Sequence, residues 1–289
     1  MNDKLLITGA SGYIGNYLFG QFKKENFDVL GTYFRNKKEG LLYFDLEKMS
    51  IDELRINLKK IRYVIILAAA NAKIDESKIH WGYNYKINVV RVKSLIDYCF
   101  KHNIVPIYIS SDGVFDGLKG NYREEDERNP INSYGRIRYE VENHIINSKK
   151  PYVILRAGRL FGTNIEDGTL ITDMLKDMRR GKSLKCATDQ VFTPLYIKDL
   201  FNFVKIIIKK KYTGIFHLAS LKATNRYEIA RAIQNFFKLK NVKIYPCKIN
   251  SLGLLDKRAK LTDLNISKYK SLTGHEEKQI EHFLRMINE

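Results

Sequence analysis

The chain has 289 residues, 44% hydrophobic and 28% charged, and its 50 Lys and Arg against 32 Asp and Glu leave a formal net charge of +18. A chain of this length and apolarity buries a sizeable core, which excludes disorder, and the usual domain sizes allow one large domain or two smaller ones. No run approaches the roughly 20 apolar residues that cross a bilayer, and the basic residues are spread out with no nucleic-acid-binding module, so neither a membrane nor a nucleic acid is an expected partner; the positive field suits small anionic ligands instead.

Met1 leads directly into the apolar run KLLIT (4–8) with no signal-peptide pattern, so the expected location is the cytoplasm. There Cys99, Cys186 and Cys247, odd in number and without metal-ligand spacing, are expected as reduced thiols, and no metal site is expected. KLLIT has the pattern of a buried strand. Directly after it Gly9, Gly12 and Gly15 stand as G-x-x-G-x-x-G at the head of an amphipathic helix over 12–25. Gly9 permits a tight turn, Gly12 lets the backbone approach a pyrophosphate, and Gly15 lets the helix pack on the strand. The helix N-terminus adds unpaired N–H groups and a partial positive charge, so a dinucleotide is expected here, with Ser11, Tyr13 and Ile14 of the same turn among its contacts.

The second strand, 27–33, runs into Arg35, Lys37 and Lys38, where an NAD-selective site carries a carboxylate for the ribose hydroxyls. A guanidinium there grips a 2′-phosphate at two points, so the expected cofactor is NADP. The short strand LLYFD ends in Asp45, expected at the adenine amino group, with Leu46 beside it. The next strand, 63–69, delivers Ala68, Ala69 and Ala70 as further cofactor contacts.

Helical spacing returns over 83–102 and 134–147, with strands at 104–110 and 152–157. Apolar strands alternating with amphipathic helices imply a parallel sheet with right-handed crossovers, an α/β doubly wound fold of the Rossmann type over residues 1–157. Beyond it come a helix near 169–180, a loop at Thr193-Pro194, a helix from Lys198, a strand at 215–219 and helices near 225–237 and 276–288. These form a smaller C-terminal substrate lobe, 158–289, partly interleaved with the first domain and expected to close over the carboxyl ends of the strands.

The segments SSDGVFDG (110–117) and NPINSYGRIRYE (129–140) carry a more specific signal. Together with TGASGYIG (8–15), ILAAANAKIDES (66–77), INVV (87–90), YVILR (152–156), TPLYIKDL (193–200), NRYEIARAI (225–233) and KRAKLTDLNISK (257–268), they resemble the extended short-chain dehydrogenase/reductases, in particular the dTDP-4-dehydrorhamnose reductase family, nearly end to end. The chain is also similar to the regulatory β subunits of methionine adenosyltransferase, which share that fold. The resemblance implies NADPH-dependent reduction of a nucleotide-linked keto sugar by a Ser/Thr–Tyr–Lys triad, in the synthesis of surface-polysaccharide precursors. It assigns Ser111 to the substrate carbonyl and Tyr134 to its protonation, and it puts Arg138 where the family has a lysine that also binds the nicotinamide ribose. A guanidinium keeps the positive charge but is planar and bulkier, so the ribose contacts must change.

The same resemblance places Asp112, Gly113 and Arg159 at the substrate, with Arg156 and Lys198 as further candidates for its diphosphate. Gly113 stands where the family usually has an aromatic ring, which leaves room for a larger or differently oriented sugar. Two copies pairing through surface helices is the assembly it suggests. Two other activities fit this scaffold: a nucleotide-sugar epimerase or dehydratase, and a cofactor-binding regulatory subunit whose triad is no longer used.

Overall fold

The computed structural model describes residues 4–70 and 73–287, so residues 71 and 72 of the 66–77 motif and residue 288 of the last expected helix lie outside the described residues. The expected strands form where apolar runs can be covered on both faces. They are β1 (Lys4–Thr8), β2 (Val29–Tyr33), the two-residue β3 (Leu42–Tyr43), β4 (Ile61–Ile66), β5 (Val105–Ser111) and β6 (Val153–Ala157); every residue of β5 and β6 is buried. With the strand Gly214–Leu218 they make a seven-stranded sheet in the order Gly214–Leu218, β6, β5, β4, β1, β2, β3. The pairs β1–β2, β1–β4, β2–β3 and β4–β5 all run parallel. The doubly wound α/β expectation is met. From β1 the chain builds outward to β3 and then returns to β4 on the other side of β1, the switch point where such sheets bind ligands.

The chain divides into two compact units, each made of three segments that alternate along the sequence. The first unit takes Met1–Ser110, Ser133–Leu155 and Val204–Ile215, and the second takes Ser111–Asn132, Arg156–Phe203 and Phe216–Glu289. In the first, Leu6, Val64, Ile96, Val141, Ile145 and Ile154 are wholly removed from water, each worth about 1.5–3 kcal/mol of burial. The amphipathic stretch expected over 83–102 is longer and less regular. Short helices at Ile74–Ile79 and Trp81–Tyr85 lead into a π-helical segment, Lys86–Arg91, and then the helix Val92–Lys101.

The second unit has an aromatic core, in which Phe203 meets Tyr269 and Phe216 edge-on at 4.7 and 5.3 Å, and Phe161 meets Phe283 at 5.0 Å. The helix Leu170–Arg179 buries Ile171, Met174, Leu175 and Met178 on one stripe. The helix Arg226–Phe236 is capped by a reciprocal pair, Asn225 accepting from the Glu228 N–H and Glu228 accepting from the Asn225 N–H. The last expected helix is confined to Ile280–Leu284, because Lys278 N–H donates to the Ser220 carbonyl and holds that stretch extended. A helix at Ser267–Thr273, ended by Gly274 in the left-handed region, has no counterpart in the sequence reading.

Two glycines of the first helix, Tyr13–Lys24, face opposite circumstances. A Cβ at Gly15 would sit 2.3 Å from the Gly9 carbonyl oxygen and 2.7 Å from Ala10 Cα, whereas one at Gly20 would meet nothing within 4 Å. Gly15→Ala is expected to destabilise by about 1–3 kcal/mol, and Gly20→Ala to stabilise by roughly 0.5–1 kcal/mol. Denaturant unfolding of the two variants checks this, and equal midpoints would refute the packing argument.

Candidate functional site

A cavity of roughly 280 Å³ opens at the carboxyl ends of β1, β2, β3 and β4. Its wall comes from Gly9, Ser11 and Gly12 after β1, residues 32–36 at the end of β2, residues 44–47 after β3, residues 67–70 after β4, and Tyr83 and Ile87. The structure therefore gathers Gly9, Ser11, Gly12, Arg35, Asp45, Leu46, Ala68, Ala69 and Ala70 from the expected cofactor contacts. Tyr13, Ile14 and Gly15 belong to the helix that follows and are not part of this wall, nor are Tyr134 and Arg138. Nine further lining residues were not expected; all but Tyr83 and Ile87 stand at or just after the end of a strand, which was the available signal.

Buried hydroxyls and amides fasten this wall. Thr8 Oγ1 donates to the Ile65 carbonyl at 3.3 Å and accepts from the N–H of Leu67 and Ala68, tying β1 to the start of the 67–70 loop. Thr32 Oγ1 accepts from Gly9 N–H at 3.1 Å and pins the glycine turn to β2. From the π-helical segment, the Asn88 amide bonds both the N–H and the carbonyl of Ala70 at 2.7 Å. Arg91 reaches the carbonyls of Leu46 and Met49, also at 2.7 Å. The wider π turn thus presents two anchors to two different walls, in keeping with the habit of π-bulges to sit at functional sites.

The three glycines are not equivalent. Gly9 adopts φ +73°, and a Cβ there would lie 2.9 Å from Ala68 N; Gly15 is forced by the close approach described above. Gly12 is extended at φ −77°, ψ 172°, and a Cβ there would meet only Gly9 O at an ordinary 3.5 Å. The fold does not require that glycine. Its lack of a side chain keeps the cavity edge open beside a helix N-terminus, which fits the pyrophosphate of a dinucleotide.

Charge in the cavity is arranged unevenly. Arg35 is exposed, its guanidinium 5.5 Å from the Phe34 ring, and Lys38 Nζ donates to Asn16 Oδ1 at 2.9 Å. No carboxylate stands among residues 32–36, which line the cavity at the end of β2. The acidic residues come after β3 instead: Asp45 is buried and accepts from Glu47 N–H at 2.9 Å, while a 2.9 Å hydrogen bond from Lys86 holds the Glu47 carboxyl below its usual range.

Elsewhere in the first unit, the helix Ser133–Asn147 carries Tyr134 and Arg138 one turn apart, with the Arg138 guanidinium 5.0 Å from the centre of the Tyr134 ring. Arg138 Nη1 donates to Tyr108 Oη at 3.1 Å and reaches the Ile109 carbonyl at 3.5 Å. The expected tyrosine–cation pair is thus formed, and the cation is anchored on β5.

In the second unit, Ser111 Oγ donates to Asp112 Oδ1 at 2.6 Å and accepts from Gly113 N–H, and Thr262 Oγ1 donates to Asp112 Oδ2 at 2.9 Å. Burial pushes the Asp112 carboxyl up, against the pull of these hydroxyls and of Arg159. Arg156 is not a ligand-facing cation. It is 1% exposed, donates to the Glu124 carbonyl and to His217 Nε2, and lies 5.2 Å from the Phe115 ring. His217 is held neutral, brought down to about 3 by its burial and by Arg156. Lys198 is exposed at the start of the helix Ile197–Lys210. Arg159 instead belongs to a cationic group with Arg226 and Arg258: burial and the charges of these neighbours bring Arg226 down to about 10, at the first position of its helix, where the helix dipole also disfavours a cation. Positive charge bearing on a helix N-terminus suits an anion. Arg226 and Arg258 escaped the sequence reading because each is one of many basic residues there.

Comparison with known proteins gives a consistent family. The RmlD substrate binding domain family matches residues 3–289. A dTDP-4-dehydrorhamnose reductase from Aggregatibacter actinomycetemcomitans is 30% identical over 240 residues, covering 80% of this chain and 78% of that protein. The methionine adenosyltransferase 2 subunit beta of Bos taurus is 27% identical over 253 residues, covering 85% and 75%. Among solved structures, the dTDP-4-dehydrorhamnose reductase of Bacillus anthracis in complex with NADP has the same fold, with a TM-score of 0.84, 23% identity and 99% of both chains covered.

Because the fold tolerates a side chain at position 12, Gly12→Val is expected to melt close to the parent while losing dinucleotide binding by at least about 100-fold, as the new side chain fills the open edge. Isothermal titration beside a thermal melt checks both halves. Binding retained by a folded variant would move the pyrophosphate elsewhere.

Proposed function

The chain belongs to the RmlD substrate-binding family, and on that premise we propose that it is an NADPH-dependent reductase of a nucleotide-activated 4-keto-6-deoxy sugar, acting in the cytoplasm on precursors of surface polysaccharide. The observation that carries this reading is the Tyr134–Arg138 pair, a phenol with a guanidinium held 5.0 Å from its ring one helical turn away. A phenol so placed is a group that can give a reduced carbonyl oxygen its proton, and the guanidinium beside it adds a fixed positive charge where negative charge develops on that oxygen.

The cavity supports the cofactor half of the proposal. Gly9, Ser11 and Gly12 would hold the pyrophosphate, Arg35 the 2′-phosphate, Asp45 the adenine amino group, and Leu46 and Ala68 to Ala70 the remaining cofactor face. When bound, NADPH supplies the hydride. Tyr134 gives the substrate oxygen its proton, and Ser111 hydrogen-bonds that oxygen by turning its own proton away from Asp112. Arg159, Arg226 and Arg258 offer the charge that a sugar nucleotide's diphosphate requires, and Gly113 in place of a ring suits a larger sugar than a rhamnose precursor.

A second reading has its own support in the similarity to the β subunit of methionine adenosyltransferase and in the arginine at position 138: a cofactor-binding regulatory subunit. Turnover separates the two. The parent protein is expected to oxidise NADPH with at least one member of a panel of nucleotide 4-keto sugars, followed by loss of the reduced-nicotinamide absorbance. Tyr134→Phe should lower that rate by about 100-fold or more with cofactor affinity unchanged. No turnover with any member would favour the regulatory reading, and full activity of Tyr134→Phe would remove Tyr134 from the chemistry.

Cofactor choice provides an independent check. NADPH is expected to bind about tenfold more tightly than NADH, the order expected of a charge-assisted contact at an exposed site, and Arg35→Ala should abolish most of that difference. Equal affinities of the parent for the two cofactors, by fluorescence titration, would make Arg35 an ordinary surface cation.

A further inference from the structure

The family lysine replaced by Arg138 is short and flexible, whereas a guanidinium is rigid at its tip and must find acceptors in a fixed plane. Those acceptors come from β5. Side chains on a strand alternate between faces, so Tyr108 and Ser110 point to the same side. On the facing helix, Arg138 and Glu142 are four residues apart and share a face with Tyr134, one turn earlier. The two elements meet in register: Arg138 Nη1 donates to Tyr108 Oη at 3.1 Å, and Ser110 Oγ donates to Glu142 Oε1 at 2.5 Å. Tyr108 is 1% exposed and Glu142 is fully buried.

We infer that Tyr108 is a positioning residue, whose hydroxyl, with the Ile109 carbonyl, fixes the Arg138 guanidinium against the Tyr134 ring. The inference rests on the reading above only in taking Tyr134 as the proton donor. Three observations lead to it. The guanidinium lies between two rings, 5.6 Å from the centre of Tyr108 and 5.0 Å from that of Tyr134, so the group that accepts its hydrogen bond also sets its distance from the donor tyrosine. Burial pushes the Tyr108 phenol above its usual range against the pull of Arg138, so it stays neutral and accepts the bond without cancelling the positive charge. Arg138 Nε is buried with no hydrogen-bond acceptor among the described residues, so the guanidinium is held through Tyr108, the Ile109 carbonyl and Tyr134, and loss of the Tyr108 oxygen would leave the Ile109 carbonyl at 3.5 Å as its hold on β5. Glu142 is the carboxylate next along this face, and Ser110 occupies one of its oxygens.

This makes Arg138 a different device from the lysine it replaces. Its charge is delivered to Tyr134 by a second tyrosine on the sheet.

Tyr108→Phe removes one oxygen and keeps the ring, so the fold is expected to survive, with a melting temperature near that of the parent. Two measurements on the full-length protein decide the matter. In protein labelled with ¹⁵N-arginine, the Arg138 Nε–H signal, assigned by its loss in Arg138→Lys, is expected to exchange slowly with water in the parent and at least about tenfold faster in Tyr108→Phe, once its guanidinium is unpinned. In turnover, Tyr108→Phe is expected to lower kcat by about tenfold with KM for NADPH and sugar unchanged, and by less than about twofold when introduced into Arg138→Lys, where there is no guanidinium to place. Unchanged Nε–H exchange in Tyr108→Phe would overturn the inference, and so would an equal loss of kcat in both backgrounds, because a general packing defect acts regardless of residue 138. If the parent reduces no keto sugar, the reductase reading fails while the exchange measurement still decides whether Tyr108 pins Arg138.

Discussion

A helix lies so close to the turn after β1 that a Cβ at Gly15 would sit 2.3 Å from the Gly9 carbonyl oxygen. That approach sets the geometry of everything around it. It brings the helix N-terminus to the end of the central strand, next to Gly9 in the left-handed region, and it leaves the backbone at Gly12 bare toward the cavity. Because β1 is the strand from which the sheet grows in both directions, the ends of β2, β3 and β4 converge on the same place and supply the remaining walls. Ligand capacity and topology are here one fact.

The polar groups around this turn are held by hydrogen bonds made through side chains with no freedom to move. Thr8 and Thr32 are fully buried or nearly so, and each uses a hydroxyl to satisfy backbone groups that the strand ladder leaves open. Asn88 and Arg91 do the same for loops that no strand supports. A wall built this way is pre-organised, since the ordering of its loops is accomplished in folding and not left to ligand binding.

Arg156 and Arg159 illustrate how little a residue type says about its use. They are three positions apart, yet one is sealed at 1% exposure against a carbonyl, a neutral histidine and an aromatic ring, while the charge of the other bears on Asp112 and, with that of Arg258, on Arg226. Arg138 is a third case, a cation kept by a neutral phenol. In a chain of net charge +18, function depends on which few cations are desolvated and oriented, and the excess of charge contributes only a general attraction for anions.

Much was legible in the sequence alone, because strands and helices announce themselves by local periodicity and the glycine turn by its spacing. The alternating strands, the helix after Gly12, the lack of a carboxylate at the end of β2 and the tyrosine–arginine pair at 134 and 138 all follow from residues within a few positions of one another, where chain geometry alone dictates distance. The tertiary structure decided the rest: that Gly12 is free of packing duty, that Asn88 and Arg91 hold two walls from a π-helical turn, that Arg226 and Arg258 stand with Arg159, and that Tyr108 receives Arg138. The three arginines are separated by tens of residues in the chain, and Tyr108 and Arg138 by thirty positions. No periodicity encodes such meetings, since they arise only when packed elements choose their register, and the energy that selects the register comes from the whole core and not from the residues that meet.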